Sequence, residues 1–145
     1  MEEVGKSAYI KLVQGPSLQE LTLEDVKKEL DRYIGMTALT GEQLGWQYAN
    51  AAFPYTVEER SEGEIRYLLL KGKDPHLYKH LILGVGSEAL PAGGERPFIQ
   101  LALPDDATHG DTAKANEFSR YLARTFQAEL HMLNGRVMHF NPRKP

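Results

Sequence analysis

The hydrophobic period changes several times along the chain, and each change predicts an element. Ala8, Ile10 and Leu12 alternate with Tyr9, Lys11 and Val13, which predicts a strand over Ser7–Val13, closed by Gly15-Pro16-Ser17. From Leu23 the period becomes helical. Leu23, Val26, Leu30, Tyr33 and Ile34 share one face, with Thr22 as N-cap, Glu24 and Asp25 in the first turn and Gly35 as the stop. Thr40 and Gln43 stand at capping-box spacing and suggest a second short helix over Thr40–Tyr48, although Gly45 weakens it.

Ala51–Val57 and Ile65–Lys71 read as a hairpin joined by a charged turn, Glu58–Glu64. Asp74-Pro75 breaks the chain. Leu77–Val85 reads as a strand in its second half. Gly84, Gly86, Pro91, Gly93, Gly94 and Pro97 mark a long flexible loop before a strand over Phe98–Leu103. Asp111 then caps a long helix over Thr112–Leu133. Ala115, Phe118, Leu122, Phe126, Leu130 and Leu133 trace its apolar face, and Lys114, Glu117, Arg120, Arg124 and Gln127 its solvated side. Asn134-Gly135 suits a left-handed C-terminal cap, and Arg136–Phe140 a last strand.

Runs of adjacent strands favour antiparallel pairing. The expected fold is a single α+β domain over residues 1–145, with loose termini at 1–6 and 141–145. Its antiparallel-rich or mixed sheet has five to six strands, with two main helices packed on it.

Composition narrows the class of function. The 145 residues are 41% apolar and 26% charged, as in an ordinary soluble globule, and length and composition together suit one domain. Cysteine is absent, which removes disulfides, thiolate nucleophiles and cysteine metal sites and fits a reducing cytoplasm. The N-terminus, Met1-Glu2-Glu3-Val4-Gly5-Lys6, has no apolar run of the kind a secretory signal needs. Apolar runs such as Tyr67–Leu70 and Leu81–Val85 are too short to span a bilayer, so no membrane role is expected. A net charge of −3 argues against nucleic acid as partner. Residues 1–75 hold 13 acidic and 9 basic side chains and residues 76–145 hold 7 and 8, and all five histidines, His76, His80, His109, His131 and His139, fall in the second half. That half is the better place for an anionic ligand, but a difference this small is first read as chance asymmetry on a solvated surface.

No motif has the spacing a known reaction demands, so the candidate chemistry consists of constellations. His76 and His80 stand four apart and share a face in helix or strand. A metal would need a third ligand from Asp74, His109 or His131, and the HExxH glutamate is missing, so surface histidines beside a turn are the preferred reading and no metal or cofactor is expected. The Gly84–Glu88 segment lacks the third glycine of a dinucleotide fingerprint, and no Gly-Lys-Ser/Thr occurs. Thr108–Thr112 could present a helix N-terminus to an anion with help from His109 and Lys114. Asp105, Asp106 and Asp111 would repel that anion, and capping is the simpler role.

Arg120 and Arg124, one turn apart, could grip a phosphate or carboxylate, with Arg136, His139, Arg143 and Lys144 nearby in sequence, but at a net charge of −3 a solvated helix face plus a basic tail is the preferred reading. Trp46, Tyr48, Phe53, Tyr55 and Tyr67 could form an aromatic binding face, although the alternation of Phe53, Tyr55 and Val57 is also that of a core strand.

The blocks Ser7–Val13, Ala51–Tyr55 and Asn134–Met138 together resemble a small family of proteins from Bacillus and its relatives, described only as a domain of unknown function (1885). The resemblance spans nearly the whole chain and rests on strand, turn and helix segments. It implies a stand-alone cytosolic bacterial protein and brings no catalytic residue.

The leading functional expectation is therefore a non-catalytic binding or interaction protein with a protein or small-molecule partner. Its rival is a small enzyme or small-molecule binder whose site assembles from scattered residues. The binding candidates are His76, His80, His109, Arg120, Arg124, Trp46 and Tyr55, with no catalytic residue assigned. Alternating strands also leave an edge through which a homodimer could form.

Overall fold

A computed structural model describes residues 6–12, 21–44, 53–74, 76–91 and 93–140, without the side chains of 38–44. Among the described residues, seven strands and two helices follow in the order β1 (Lys6–Lys11), α1 (Leu23–Leu44), β2 (Tyr55–Glu62), β3 (Ile65–Gly72), β4 (His80–Ala89), β5 (Glu95–Leu103), α2 (His109–Thr125), β6 (Glu129–His131) and β7 (Val137–His139). They form one antiparallel sheet in the spatial order β2-β3-β4-β5-β1-β6-β7. The α+β class is as the sequence implies, with seven strands instead of five to six. The proposed loose segment 1–6 ends one residue too late, because Lys6 already pairs with Leu103; residues 1–5 and 141–145 lie outside the described residues, as does the 45–48 part of the suggested second helix.

Successive residues of each strand point to opposite faces of the sheet while residues paired across strands share a face, and the apolar set takes the helix side. Ile10 lies between Ile99 and Leu130, Ala8 opposite Leu101, and Leu83 between Leu68 and Leu101. All of these are at most 1% exposed. Val26 and Leu30 of α1 and Ala115, Phe118 and Leu122 of α2 join them in a single core cluster. Each fully buried aliphatic or aromatic side chain contributes about 1.5–3 kcal/mol relative to exposure, so this one layer carries the fold. Aromatic rings join the helices to each other and to the chain entering β2: Tyr33 meets Phe118 at 5.5 Å, and Phe118 meets Phe53 at 5.3 Å.

Several boundaries differ from expectation, each for a physical reason. Gly35 does not stop α1, which runs on to Leu44; an interior glycine costs roughly 1 kcal/mol against alanine, less than continued packing can supply. The charged stretch 58–62 is strand, and the turn is only Gly63-Glu64 between the paired Glu62 and Ile65. Gly63 takes φ 66°, the value a tight two-residue hairpin asks of glycine. Gly84, Gly86 and Pro97 sit within β4 and β5, so the expected long loop shrinks to residues 90–94.

The predicted closing helix is overturned most clearly. It ends at Thr125, Gln127 turns the chain at φ 50°, and β6 follows. Leu130 is buried either way, but as a strand residue it gives Ile10 of β1 a hydrogen-bonded neighbour. Asn134-Gly135 is then the β6–β7 turn and not a helix cap. Among the described residues β2 is the strand at the other edge of the sheet, and it carries Glu58, Glu59, Arg60 and Glu62.

Candidate functional site

The start of α2 is built around one buried carboxylate. Thr108 is the N-cap: its hydroxyl accepts from the Asp111 backbone N–H at 3.0 Å, and Asp111 Oδ2 accepts from the Thr108 backbone N–H at 3.0 Å. Asp111, expected to be the cap itself, is instead the third helical residue of a capping box. It is fully buried, which a charge tolerates only when well paired. Tyr55 donates its hydroxyl to Oδ1 at 2.5 Å, and the Lys79 N–H donates to both oxygens at 3.0 and 3.1 Å. The box therefore joins β2, the approach to β4 and α2.

Asp106, just upstream, faces the other way. Its carboxylate meets His80 Nε2 at 2.8 Å and Lys79 Nζ at 3.7 Å, and His80 above all holds its carboxyl below the usual range. The Ala107 N–H donates to the Pro104 carbonyl at 3.0 Å, which closes the turn carrying Asp105 and Asp106.

On the sheet face turned away from the helices, Glu88 pairs with Lys11 at 3.3 Å and with Arg96 at 2.7 Å. Glu129 is approached by His131 at 2.7 Å, His139 at 3.5 Å and Arg96 at 3.8 Å. His131 first, then Arg96 and His139, draw the Glu129 carboxyl below its ordinary value.

A cavity of about 650 Å³ lies where α2, the β5–α2 turn and the β6–β7 hairpin meet. Leu103, Met132, Leu133 and Met138 give it apolar lining, and Asn116 and Asn134 offer amides. Lys6, Arg120 and Arg136 line it as cations, and none of the three forms an ion pair among the described residues. Asp105 is the carboxylate of this lining. The elements explain the convergence: Lys6 stands opposite Leu103 in the β1–β5 ladder, Arg120 projects from the exposed side of α2, and Arg136 follows the hairpin turn. A smaller cleft of about 580 Å³ adjoins it through the shared Ala107 and Thr112 and is lined by His76, Tyr78, Thr108 and His109.

The expected site residues are dispersed by the fold. His76 and His109 share the smaller cleft, while His80 is engaged by Asp106. Among the described residues, no group of three or more His, Cys, Asp or Glu side chains is placed to hold a metal ion. Arg120 and Arg124 do not act as a clamp, because the Arg124 guanidinium lies 5.5 Å over the Phe140 ring and away from the cavity lining. Tyr55 is 2% exposed, so it is a core residue with a buried hydroxyl and not part of a binding face. Trp46 lies outside the described residues. Sequence reading missed Lys6, Asn116, Asn134, Met132 and Met138 as neighbours; the signal that could have suggested the cleft was the basic pair Arg120 and Arg136 flanking a chain reversal.

None of the described helices is long and apolar enough to cross a membrane. The chain is similar to a protein of unknown function from Bacillus stearothermophilus, known from its crystal structure. The two are 46% identical, the match covers 89% of this chain and 96% of that one, and the TM-score is 0.57. No curated protein matches. A family model, the domain of unknown function DUF1885, matches residues 6–142, and the chain belongs to that family.

Proposed function

We propose that the protein is a non-catalytic binding protein whose cleft between α2 and the β6–β7 hairpin takes a small organic anion. The observation that carries this reading is the grouping of Lys6, Arg120 and Arg136, none of them in an ion pair among the described residues, beside the apolar Leu103, Met132 and Met138. Cations left unpaired at a concave surface are the cheapest way to recognise carboxylate or phosphate, and arginine does so with two parallel donors. Apolar lining with a few convergent polar groups is the usual make-up of a small-molecule site. Binding is favoured over catalysis because the carboxylates that ion pairs hold below their ordinary range, Glu24, Glu58, Glu88, Asp106 and Glu129, lie outside this cleft.

The test is a thermal-shift screen of the whole chain against carboxylic acids, phosphate esters, sugars and nucleotides. A ligand at a hundred times its dissociation constant stabilises by about 2.7 kcal/mol, which raises the melting temperature of a domain this size by roughly 5–10 °C. An anion that gives this rise in the wild type and not in the Arg120→Ala/Arg136→Ala variant supports the reading. A screen in which no anion raises the melting temperature overturns it.

A further inference from the structure

We infer that the cleft is made for a zwitterion, specifically an amino acid that carries a second acid group; this rests on the anion-binding reading and narrows it. The two adjacent aspartates of the β5–α2 turn divide their roles. Asp106 is tied to His80 and Lys79 and anchors the turn from outside the cleft. The Pro104–Ala107 hydrogen bond fixes the turn, and Asp105 is left lining the cavity together with Lys6, Arg120 and Arg136. Its carboxylate forms an ion pair with none of them and with no other described residue.

In a cleft meant only for anions such a carboxylate is a liability, since like charge set against a ligand costs affinity. It becomes useful when the ligand brings a positive group of its own. An ammonium has three donors and no acceptor. Asp105 can accept one of them, and the side-chain carbonyl of Asn116, in the same lining, can accept another, while that of Asn134 already accepts from the Arg136 backbone N–H at 3.0 Å. Three cations against one carboxylate leave a positive excess, which a ligand with two acid groups and one ammonium offsets better than a simple amino acid. Leu103, Met132 and Met138 suit the methylenes between those groups.

The experiment is calorimetric titration of the full chain with L-glutamate and L-2-aminoadipate and with their des-amino counterparts, glutarate and adipate. Phosphate esters are included, and every titration is repeated on Asp105→Asn. Asp105 is exposed, and an unchanged melting temperature will show that its variant folds. The amino compounds should bind the wild type at least about tenfold more tightly than the des-amino ones, the factor a charge-assisted hydrogen bond supplies. Asp105→Asn should remove that preference while leaving the binding of the des-amino acids equal or tighter. Equal binding of both sets by the wild type overturns the zwitterion and leaves the anion reading standing. So does binding of phosphate esters alone. Failure of every anion overturns both.

Discussion

The Tyr55 hydroxyl donates to Asp111 Oδ1 at 2.5 Å across 56 positions of sequence, and both residues are buried. Asp111 also accepts from the backbone N–H groups of Thr108 and Lys79, so this one carboxylate fastens α2 to two strands. Removing it leaves the buried Tyr55 hydroxyl and the part-buried Thr108 and Lys79 N–H groups without their acceptor, whereas removing the phenol hydroxyl leaves the carboxylate its backbone partners. Asp111→Ala should therefore cost about 2–4 kcal/mol, and Tyr55→Phe about 1–2 kcal/mol. Urea denaturation of the two variants checks the ranking.

The same bond sets an alkaline limit. Burial, and then the Asp111 carboxylate, push the Tyr55 hydroxyl well above its ordinary 10.0. The folded state therefore holds its proton where the unfolded state gives it up. The Tyr55 contribution is intact below pH 10 and declines as pH rises beyond it. Absorbance titration at the phenolate band should show Tyr55 ionising only as the protein unfolds, and the Tyr55→Phe variant should lack that late step.

On the acid side the sign reverses. His131 before all, with Arg96 and His139, draws Glu129 below its ordinary 4.5, and Arg96 does the same for Glu88. Between the unfolded and folded values the unfolded chain binds more protons, so stability is present above about pH 4.5 and lost as pH falls through the folded values. The urea midpoint should stay level from pH 7 to 5 and drop below 4.5. In Glu129→Gln the midpoint at pH 7 should be lower and the acid limb shallower. An unchanged acid limb would remove Glu129 from the account.

The helix-side face of the sheet was readable because its chemistry is local: Ala8, Ile10, Leu68, Leu70, Leu81, Leu83, Ile99 and Leu101 alternate with less buried residues, and period two survives any error of boundary. Positions where one local signal competed with a distant partner were misread. Leu130 continues the helical stripe of Phe118 and Leu122, and only the need of β1 for a neighbour, some 120 residues earlier, makes it a strand residue. The site was less legible still. Lys6, Asp105, Arg120 and Arg136 come from four elements, and no spacing along the chain announces that they will line one cleft. Tyr55 shows the same limit from the other side, since an aromatic on an alternating strand looks alike whether its hydroxyl meets water or Asp111.

Glycine substitutions separate close backbone approach from mere presence in a strand. A Cβ on Gly72 would lie 1.8 Å from the Tyr78 carbonyl oxygen, where the Gly72 N–H also binds the Lys79 carbonyl at 2.7 Å. The neighbour is backbone and has little room to shift, so Gly72→Ala should cost about 3 kcal/mol or more. Gly84, a strand glycine with no atom within 4 Å of the same construction, should accept alanine within about 0.5 kcal/mol. Parallel denaturation of the two variants decides it. Comparable losses at both sites would mean that strand entropy, and not the crossing near Tyr78, governs these positions.

Ser119 offers a substitution in the stabilising direction. It lies on the buried face of α2 at 2% exposure, and its hydroxyl has no hydrogen-bond partner among the described residues. A buried hydroxyl without a partner loses its hydration and gains nothing in return. Alanine also has the better helix propensity and removes only the unsatisfied atom, so any cavity left is small. Ser119→Ala should raise stability by about 0.5–1.5 kcal/mol, and Ser119→Val should do worse because Leu122 and Phe118 already fill the surrounding core. Thermal and urea melts of both variants test this. A loss of stability in Ser119→Ala would show that the hydroxyl is satisfied in solution, by a water or by rotation toward a helix carbonyl.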